Sequence, residues 1–168
     1  MTGRDDAPTE RLAEAVIRGL ASRNARLVAA ESCTGGMITA ELTAVPGASD
    51  VVCGAYVVYR REMKERALGL DPSFVTAAGT VSEEITVAMA TAARTRSGAD
   101  VAVATTCSAG PSTESGSARG ESYIAVADSA GQDVRRLRLD GDRSTVRREL
   151  VRMALVALVE RFGLTVRL

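Results

Sequence analysis

Apolar positions along this chain switch between helical spacing and short unbroken runs, and the switches mark out the elements. Residues 8–22 set Leu12, Ala15, Val16, Leu20 and Ala21 on one face, which predicts an amphipathic helix. The run Leu27-Val28-Ala29-Ala30 predicts a buried strand, and Met37-Ile38-Thr39-Ala40-Glu41-Leu42 returns to helical spacing before stopping at Val45-Pro46-Gly47. Val51 to Tyr59 is rich in Val and Tyr and uncharged from Val51 on, which predicts a long strand in the middle of a sheet. Arg60 to Leu68 reads as a short helix closed by Gly69, and Asp71-Pro72 opens a further turn or short helix. Ser82 caps a helix running through Ser97, with Glu83 and Glu84 at its positive end and Gly98 past its far end.

Val101-Ala102-Val103-Ala104 is a second wholly apolar strand, and it leads into a small-residue loop from Thr106 to Gly120. A loop of that length inside a compact domain is usually functional or mobile. Glu121 to Asp128 and Asp133 to Asp140 read as an antiparallel hairpin about Ser129-Ala130-Gly131-Gln132. Arg135, Arg136 and Arg138 place its second strand toward an exposed edge. A closing helix from Ser144 to Phe162 carries Val146, Leu150, Met153, Ala154, Ala157 and Leu158 as its buried stripe. This order predicts a three-layer α/β/α sandwich with a mixed, mostly parallel sheet and a C-terminal antiparallel hairpin. No repeat or linker divides the 168 residues, so one domain is expected, with residues 1–7 as a polar tail.

Composition narrows the partners. Basic and acidic residues balance at 21 each and only 3% of residues are aromatic, so neither bulk charge nor stacking points to nucleic acid. No apolar run reaches the roughly 20 residues that cross a bilayer, and Met1 to Glu10 does not read as a signal peptide. A cytoplasmic protein with no membrane partner is expected. Cys33, Cys53 and Cys107 are odd in number and lack paired spacing, which argues against a disulfide framework and against a zinc site. They are expected to be small buried or half-buried thiols.

Two features of the side-chain inventory bear on chemistry. The chain has no histidine, which removes every Ser-His-Asp triad, Cys-His pair and His-ligated metal. Its single lysine is Lys64, arginine supplying the rest of the 21 basic residues. Arginine does not act as a base at ordinary pH, whereas a lysine can be tuned to do so.

The turn Glu31-Ser32-Cys33-Thr34-Gly35-Gly36 joins the first apolar strand to the helix after it. That is where open α/β sheets place ligand sites, with small residues and a helix N-terminus that favours an anion. Two readings stand: an oxyanion or phosphate cradle, or plain helix capping by Ser and Thr. The pattern lacks the Gly-Lys-Ser/Thr ending of a phosphate loop. If the strands run parallel, Tyr59 and Lys64 reach the same rim as Ser32, and a serine activated by an uncharged lysine is an established route to acyl transfer. Arg60 and Arg61 precede Lys64 by four and three residues, and on a shared helix face they would favour the neutral amine. The contrary reading is a surface lysine beside surface arginines. Cys33 as the nucleophile lacks a histidine partner.

Ala30-Glu31-Ser32-Cys33-Thr34-Gly35-Gly36, Tyr59-x4-Lys64, Thr80-Val81-Ser82-Glu83-Glu84, Ala109-Gly110-Pro111 and Gly141-Asp142-Arg143-x2-Val146-Arg147 follow in one order. Together they resemble the C-terminal domain family of the competence/damage-inducible protein CinA, over nearly the whole chain. The resemblance implies a nicotinamide-nucleotide amidohydrolase that converts nicotinamide mononucleotide to nicotinate mononucleotide and ammonia, with no metal or organic cofactor. By position, Ser32 would be the nucleophile, Lys64 the general base, and Tyr59 an aid to proton transfer. Backbone N–H groups of Cys33, Thr34, Gly35 and Gly36 would hold the oxyanion, Thr106 would open the second loop, and Arg143 would meet the substrate's phosphate. The family also implies a homodimer or larger homo-oligomer.

The chain departs from the family pattern in places. Arg60-Arg61 replaces Ser-Asn after the tyrosine, and Thr106-Cys107-Ser108-Ala109-Gly110-Pro111-Ser112-Thr113 stands against Thr-Gly-Ile-Ala-Gly-Pro-Gly-Gly. Ala118-Arg119-Gly120-Glu121-Ser122-Tyr123 stands against Lys-Pro-Val-Gly-Thr-Val. A second expectation therefore stands beside the enzyme: a catalytically silent relative that binds a nucleotide or a protein partner.

Overall fold

A computed structural model describes residues 7–110 and 117–167. The tail expected over residues 1–7 lies outside the described residues except for Ala7, which is buried against the core rather than free. The part of the 106–120 loop at residues 111–116 also lies outside them.

Five strands form one sheet in the order β2-β1-β3-β4-β5: β1 Leu27–Glu31, β2 Val52–Val57, β3 Val101–Cys107, β4 Glu121–Asp128 and β5 Gly131–Arg138. Strand β1 runs parallel to both β2 and β3, while β4 and β5 turn back antiparallel. Every residue of β1 and β3 is buried. Strands covered on both faces need apolar or small side chains throughout, and their unbroken Val/Ala runs meet that need.

The helices are α1 Thr9–Ala21, α2 Met37–Thr43, α3 Arg61–Leu68, α4 Pro72–Ala78, α5 Glu83–Ser97 and α6 Arg143–Arg161, with a 3₁₀ turn at Ala48–Asp50. On one face of the sheet, Leu27 and Ala29 of β1 and Val101 and Val103 of β3 meet Leu12, Val16, Ile38, Leu150 and Leu155. On the other, Val28, Ala30, Ala102 and Ala104 meet Met89, Ala90 and Ala93 of α5 together with Leu68 of α3. Alternate side chains of the same strands thus feed two separate cores.

Three expectations are corrected. The Val51–Tyr59 run is an edge strand, not a central one: its observed part, Val52–Val57, alternates between half-buried and exposed. Its exposed positions hold Cys53, Ala55 and Val57, small or neutral side chains whose hydropathy hides the alternation. The hairpin turn is Ser129-Ala130, so β5 starts two residues earlier than expected; β4 and β5 pair from Asp128↔Gly131 to Glu121↔Arg138. The third concerns the cysteines: Cys33 and Cys107 form a disulfide with Cα atoms 5.8 Å apart, and Cys53 alone is an exposed free thiol. The pairing follows from register. The β1–β3 ladder matches Leu27 with Val101 and Glu31 with Thr105, and two residues further along each chain stand Cys33 and Cys107.

Candidate active site

Because β1, β2 and β3 are parallel, their C-terminal ends share one rim, and a cavity of about 130 Å³ opens there. Ser32 stands on it one residue beyond β1. Its N–H donates to the Thr105 carbonyl at 3.2 Å, extending the β1–β3 ladder so that the residue is fixed at the backbone. The chain then turns through Gly35 and Gly36, both at positive φ (63° and 96°), a conformation that side chains resist. At Gly35 a Cβ would also approach the Arg147 guanidinium to 3.3 Å.

Lys64 approaches from the opposite bank. It projects from α3 and is fully buried, at 0% exposure. Its Nζ lies 3.0 Å from Ser32 Oγ and donates to the Val58 carbonyl at 3.0 Å. Val58 is itself fixed, its N–H donating to the Glu31 carbonyl at 2.8 Å. Burial disfavours the ammonium form, since a charge removed from water loses its hydration. The arginines expected to act on this amine turn elsewhere. Arg60 pairs with Glu62 at 3.3 Å, while Arg61 pairs with Glu65 at 2.9 Å and donates to the Pro72 carbonyl and to Thr76 Oγ1.

The turn's backbone is distributed in a way the sequence does not reveal. Glu31 is buried, and its carboxylate accepts from the N–H groups of Gly36 (2.9 Å), Ile38 (3.1 Å) and Thr39 (2.9 Å) and from Thr39 Oγ1 (2.7 Å). The positive end of α2 is thus occupied by the protein's own anion, and a substrate phosphate finds no vacancy there. Gly35 N–H donates to the Ser32 carbonyl at 3.1 Å. Of the four residues expected to hold an oxyanion, Gly35 and Gly36 therefore have their N–H donors committed, and Thr34, whose hydroxyl meets Thr105 Oγ1 at 3.0 Å, does not line the cavity. Cys33 lines the cavity, and its N–H has no hydrogen-bond partner among the described residues. The N–H following a nucleophile is the position at which strand-to-helix nucleophile turns supply an oxyanion donor.

Tyr59 and Arg143 complete the mouth. Tyr59 is 56% exposed, and its hydroxyl accepts from the Arg143 guanidinium at 2.6 Å. Arg143 also donates to the Gly110 carbonyl at 3.1 Å, linking α6 to the loop after β3. It is the first residue of α6, whose start is capped by Asp142 accepting from Thr145 N–H at 2.7 Å. That hydrogen bond holds the Asp142 carboxyl below its ordinary range. Arg143 brings a guanidinium to the cavity, with no carboxylate among the described lining residues, which favours an anionic ligand.

Ser32, Cys33, Tyr59, Lys64 and Arg143 all line this cavity, whereas Thr34, Gly35, Gly36 and Thr106 do not. Thr106 lies inside β3 rather than opening a loop, and its hydroxyl pairs with Thr86 Oγ1 at 2.7 Å beneath the rim. Arg147, to which sequence reasoning assigns no role, also serves the site. Its Nε donates to the Cys33 carbonyl at 2.8 Å and its terminal nitrogen to the Thr34 carbonyl at 3.1 Å. Spacing carries the signal for it, since Arg143 and Arg147 stand four apart and share a helix face. Thr80, Val81, Cys107, Ser108, Ala109 and Gly110 supply the rest of the described lining. No group of three or more His, Cys, Asp or Glu residues suited to a metal ion occurs among the described residues, and no helix there is long and apolar enough to cross a membrane.

Comparison with known proteins shows the family. The model of the CinA C-terminal domain matches residues 9–162. A CinA-like protein of Frankia casuarinae is 42% identical over 143 residues, covering 84% of this chain and 33% of that protein. One from Mycolicibacterium paratuberculosis is 41% identical over 155 residues, covering 86% of this chain and 34% of its own length. The chain thus spans about a third of the curated relatives it matches. Among solved structures, a competence-damaged protein (CinA) superfamily protein from Klebsiella pneumoniae superposes with a TM-score of 0.89 at 32% identity, covering 94% of this chain and 99% of the other. A competence/damage inducible protein from Agrobacterium tumefaciens gives 0.86 at 34% identity, covering 90% and 94%.

Proposed function

The chain belongs to the CinA C-terminal domain family, and from that premise we propose that it is an amidohydrolase acting on nicotinamide mononucleotide through Ser32 and Lys64. The observation that carries the reading is the 3.0 Å contact between Ser32 Oγ and a fully buried Lys64 Nζ. A surface lysine at that spacing would be charged and useless as a base; a buried one can accept a proton.

In the proposed reaction, uncharged Lys64 takes the Ser32 proton as the oxygen attacks the carboxamide carbon. The oxyanion that forms is met by the Cys33 N–H. Collapse breaks the C–N bond, Lys64 returns the proton to the leaving nitrogen, and ammonia departs, leaving an ester on Ser32. Water then attacks that ester, with Lys64 accepting the water's proton and handing it back to Ser32. Arg143, at the mouth, suits the substrate's phosphate by its fixed fork of donors.

The test is direct. Purified chain incubated with nicotinamide mononucleotide should release ammonia and nicotinate mononucleotide in equal amounts, and Ser32→Ala should abolish both. Ammonia release that persists in Ser32→Ala would remove the serine mechanism. None from the native chain would favour the silent, nucleotide-binding relative.

A further inference from the structure

The Cys33–Cys107 bond joins the two segments that build the cavity: Cys33 follows Ser32, and Cys107 precedes Ser108, Ala109 and Gly110. Both cysteines line that cavity, at 5% and 9% exposure, and both also pack into the core beside Leu27 and Val103, so the bond sits where the cavity floor meets that core. The bond spans 74 residues of sequence but closes strands already held together by the β1–β3 ladder up to Glu31↔Thr105. Its local effect is therefore on what lies beyond the ladder's last pair: the turn carrying the Cys33 N–H and the loop beginning at Ser108. The mechanism above makes no use of either sulfur.

We infer that Cys33–Cys107 is a reversible thiol–disulfide site, reduced by small dithiols entering through the cavity, and that the oxidised bond braces the oxyanion-donating turn. The second half of this inference rests on the amidohydrolase reading; the first does not. A thiolate of the dithiol attacks one sulfur, the Cys33–Cys107 bond breaks, and a mixed disulfide forms while the other cysteine leaves as a thiolate and takes a proton from water. The reductant's second thiol then displaces the mixed disulfide. Two electrons and two protons pass to the protein, the cysteines become thiols, and the reductant closes to its own disulfide. In the reduced chain the Cys33 peptide keeps the Arg147 contact but loses its tether to β3, so the donor is less well fixed. Oxidation restores it.

The experiment uses the full chain, prepared without reductant and then treated with dithiothreitol. Alkylation in denaturant should label one cysteine, Cys53, before treatment and all three after it. Hydrogen exchange across residues 32–36 should be at least about threefold faster in the reduced chain. Ammonia release from nicotinamide mononucleotide should fall about tenfold in kcat on reduction, since a loosened oxyanion donor costs less than a deleted one. Cys107→Ser should match the reduced chain and ignore dithiothreitol, and Cys107→Ala serves the same purpose if the serine variant does not fold. Three labelled cysteines before reduction, or identical exchange in both states, would overturn the inference. Altered exchange with equal kcat in both states would overturn the brace, and altered exchange with no ammonia in either state would overturn the amidohydrolase reading while leaving the thiol–disulfide site standing.

Discussion

Ser32 Oγ and Lys64 Nζ meet at 3.0 Å across 32 residues of sequence, and neither is placed by its own side chain's preferences. Ser32 is held by its N–H to Thr105, and Lys64 by its burial and its bond to the Val58 carbonyl. The two strand ends adjoin because Val58 N–H donates to the Glu31 carbonyl. The sheet's parallel register therefore fixes the pair.

Arg147 tests whether the turn's peptides matter to the chemistry. Its guanidinium grips the carbonyls of Cys33 and Thr34, which sets the peptide planes next to Ser32. Arg147→Ala should lower kcat about 10- to 100-fold with little change in KM, the pattern of an interaction needed in the transition state. Added guanidinium should recover part of the rate, whereas a purely structural role would show instead as a lowered Tm with no such rescue.

Glu31 tests whether the end of α2 is filled. Its carboxylate accepts four hydrogen bonds in a buried site, and Glu31→Gln turns one acceptor into a donor facing donors. A loss of about 2 kcal/mol is expected, read from denaturant unfolding. An unchanged midpoint would mean that α2 is not capped from within.

Arg143 and Tyr59 separate binding from chemistry. Arg143→Ala should raise KM for nicotinamide mononucleotide about tenfold while leaving kcat within about threefold. Tyr59→Phe removes only the acceptor that orients Arg143, and a smaller rise in KM is expected. Nicotinamide itself, which lacks the phosphate, should be indifferent to both substitutions.

Away from the site, Asp128 ties the hairpin to the end of α6. It accepts from Arg161 Nε and from a terminal nitrogen, both at 2.9 Å, and the guanidinium holds its carboxyl below the ordinary aspartate range. A group whose folded value lies below its unfolded value stabilises above the unfolded value and ceases to as pH falls through the folded one. Wild type should therefore exceed Asp128→Asn in Tm by a constant margin from about pH 6 to 8. The margin should begin to shrink below about pH 5, as the unfolded carboxyl starts to protonate, and be lost as pH falls through the depressed folded value.

Much of the fold and of the site is legible in the sequence because it depends on local composition. The unbroken apolar runs that open β1 and β3, each followed by small polar residues, mark buried parallel strands and a rim. The absence of histidine, together with a single lysine, singles out Lys64 on composition alone. What stays hidden depends on register or on which way a side chain faces. The Cys33–Cys107 bond requires that Leu27 pair with Val101, a fact no spacing of three cysteines contains. Glu31 reads as an ordinary strand-end carboxylate until α2 folds back over it. Arg60 and Arg61 share sequence proximity with Lys64, yet their partners Glu62, Glu65 and Thr76 hold them outside.

The proposed activation of Ser32 by Lys64 is most directly tested with a serine-directed sulfonyl fluoride, following the rate of adduct formation by mass spectrometry in the native chain and in Lys64→Met. Methionine fills the same buried space without an amine, so the cavity survives while the base does not. A single adduct on Ser32, formed about 100-fold more slowly in the variant, is the expected result. Equal rates in the two proteins, or an adduct elsewhere than Ser32, would contradict a lysine-activated serine.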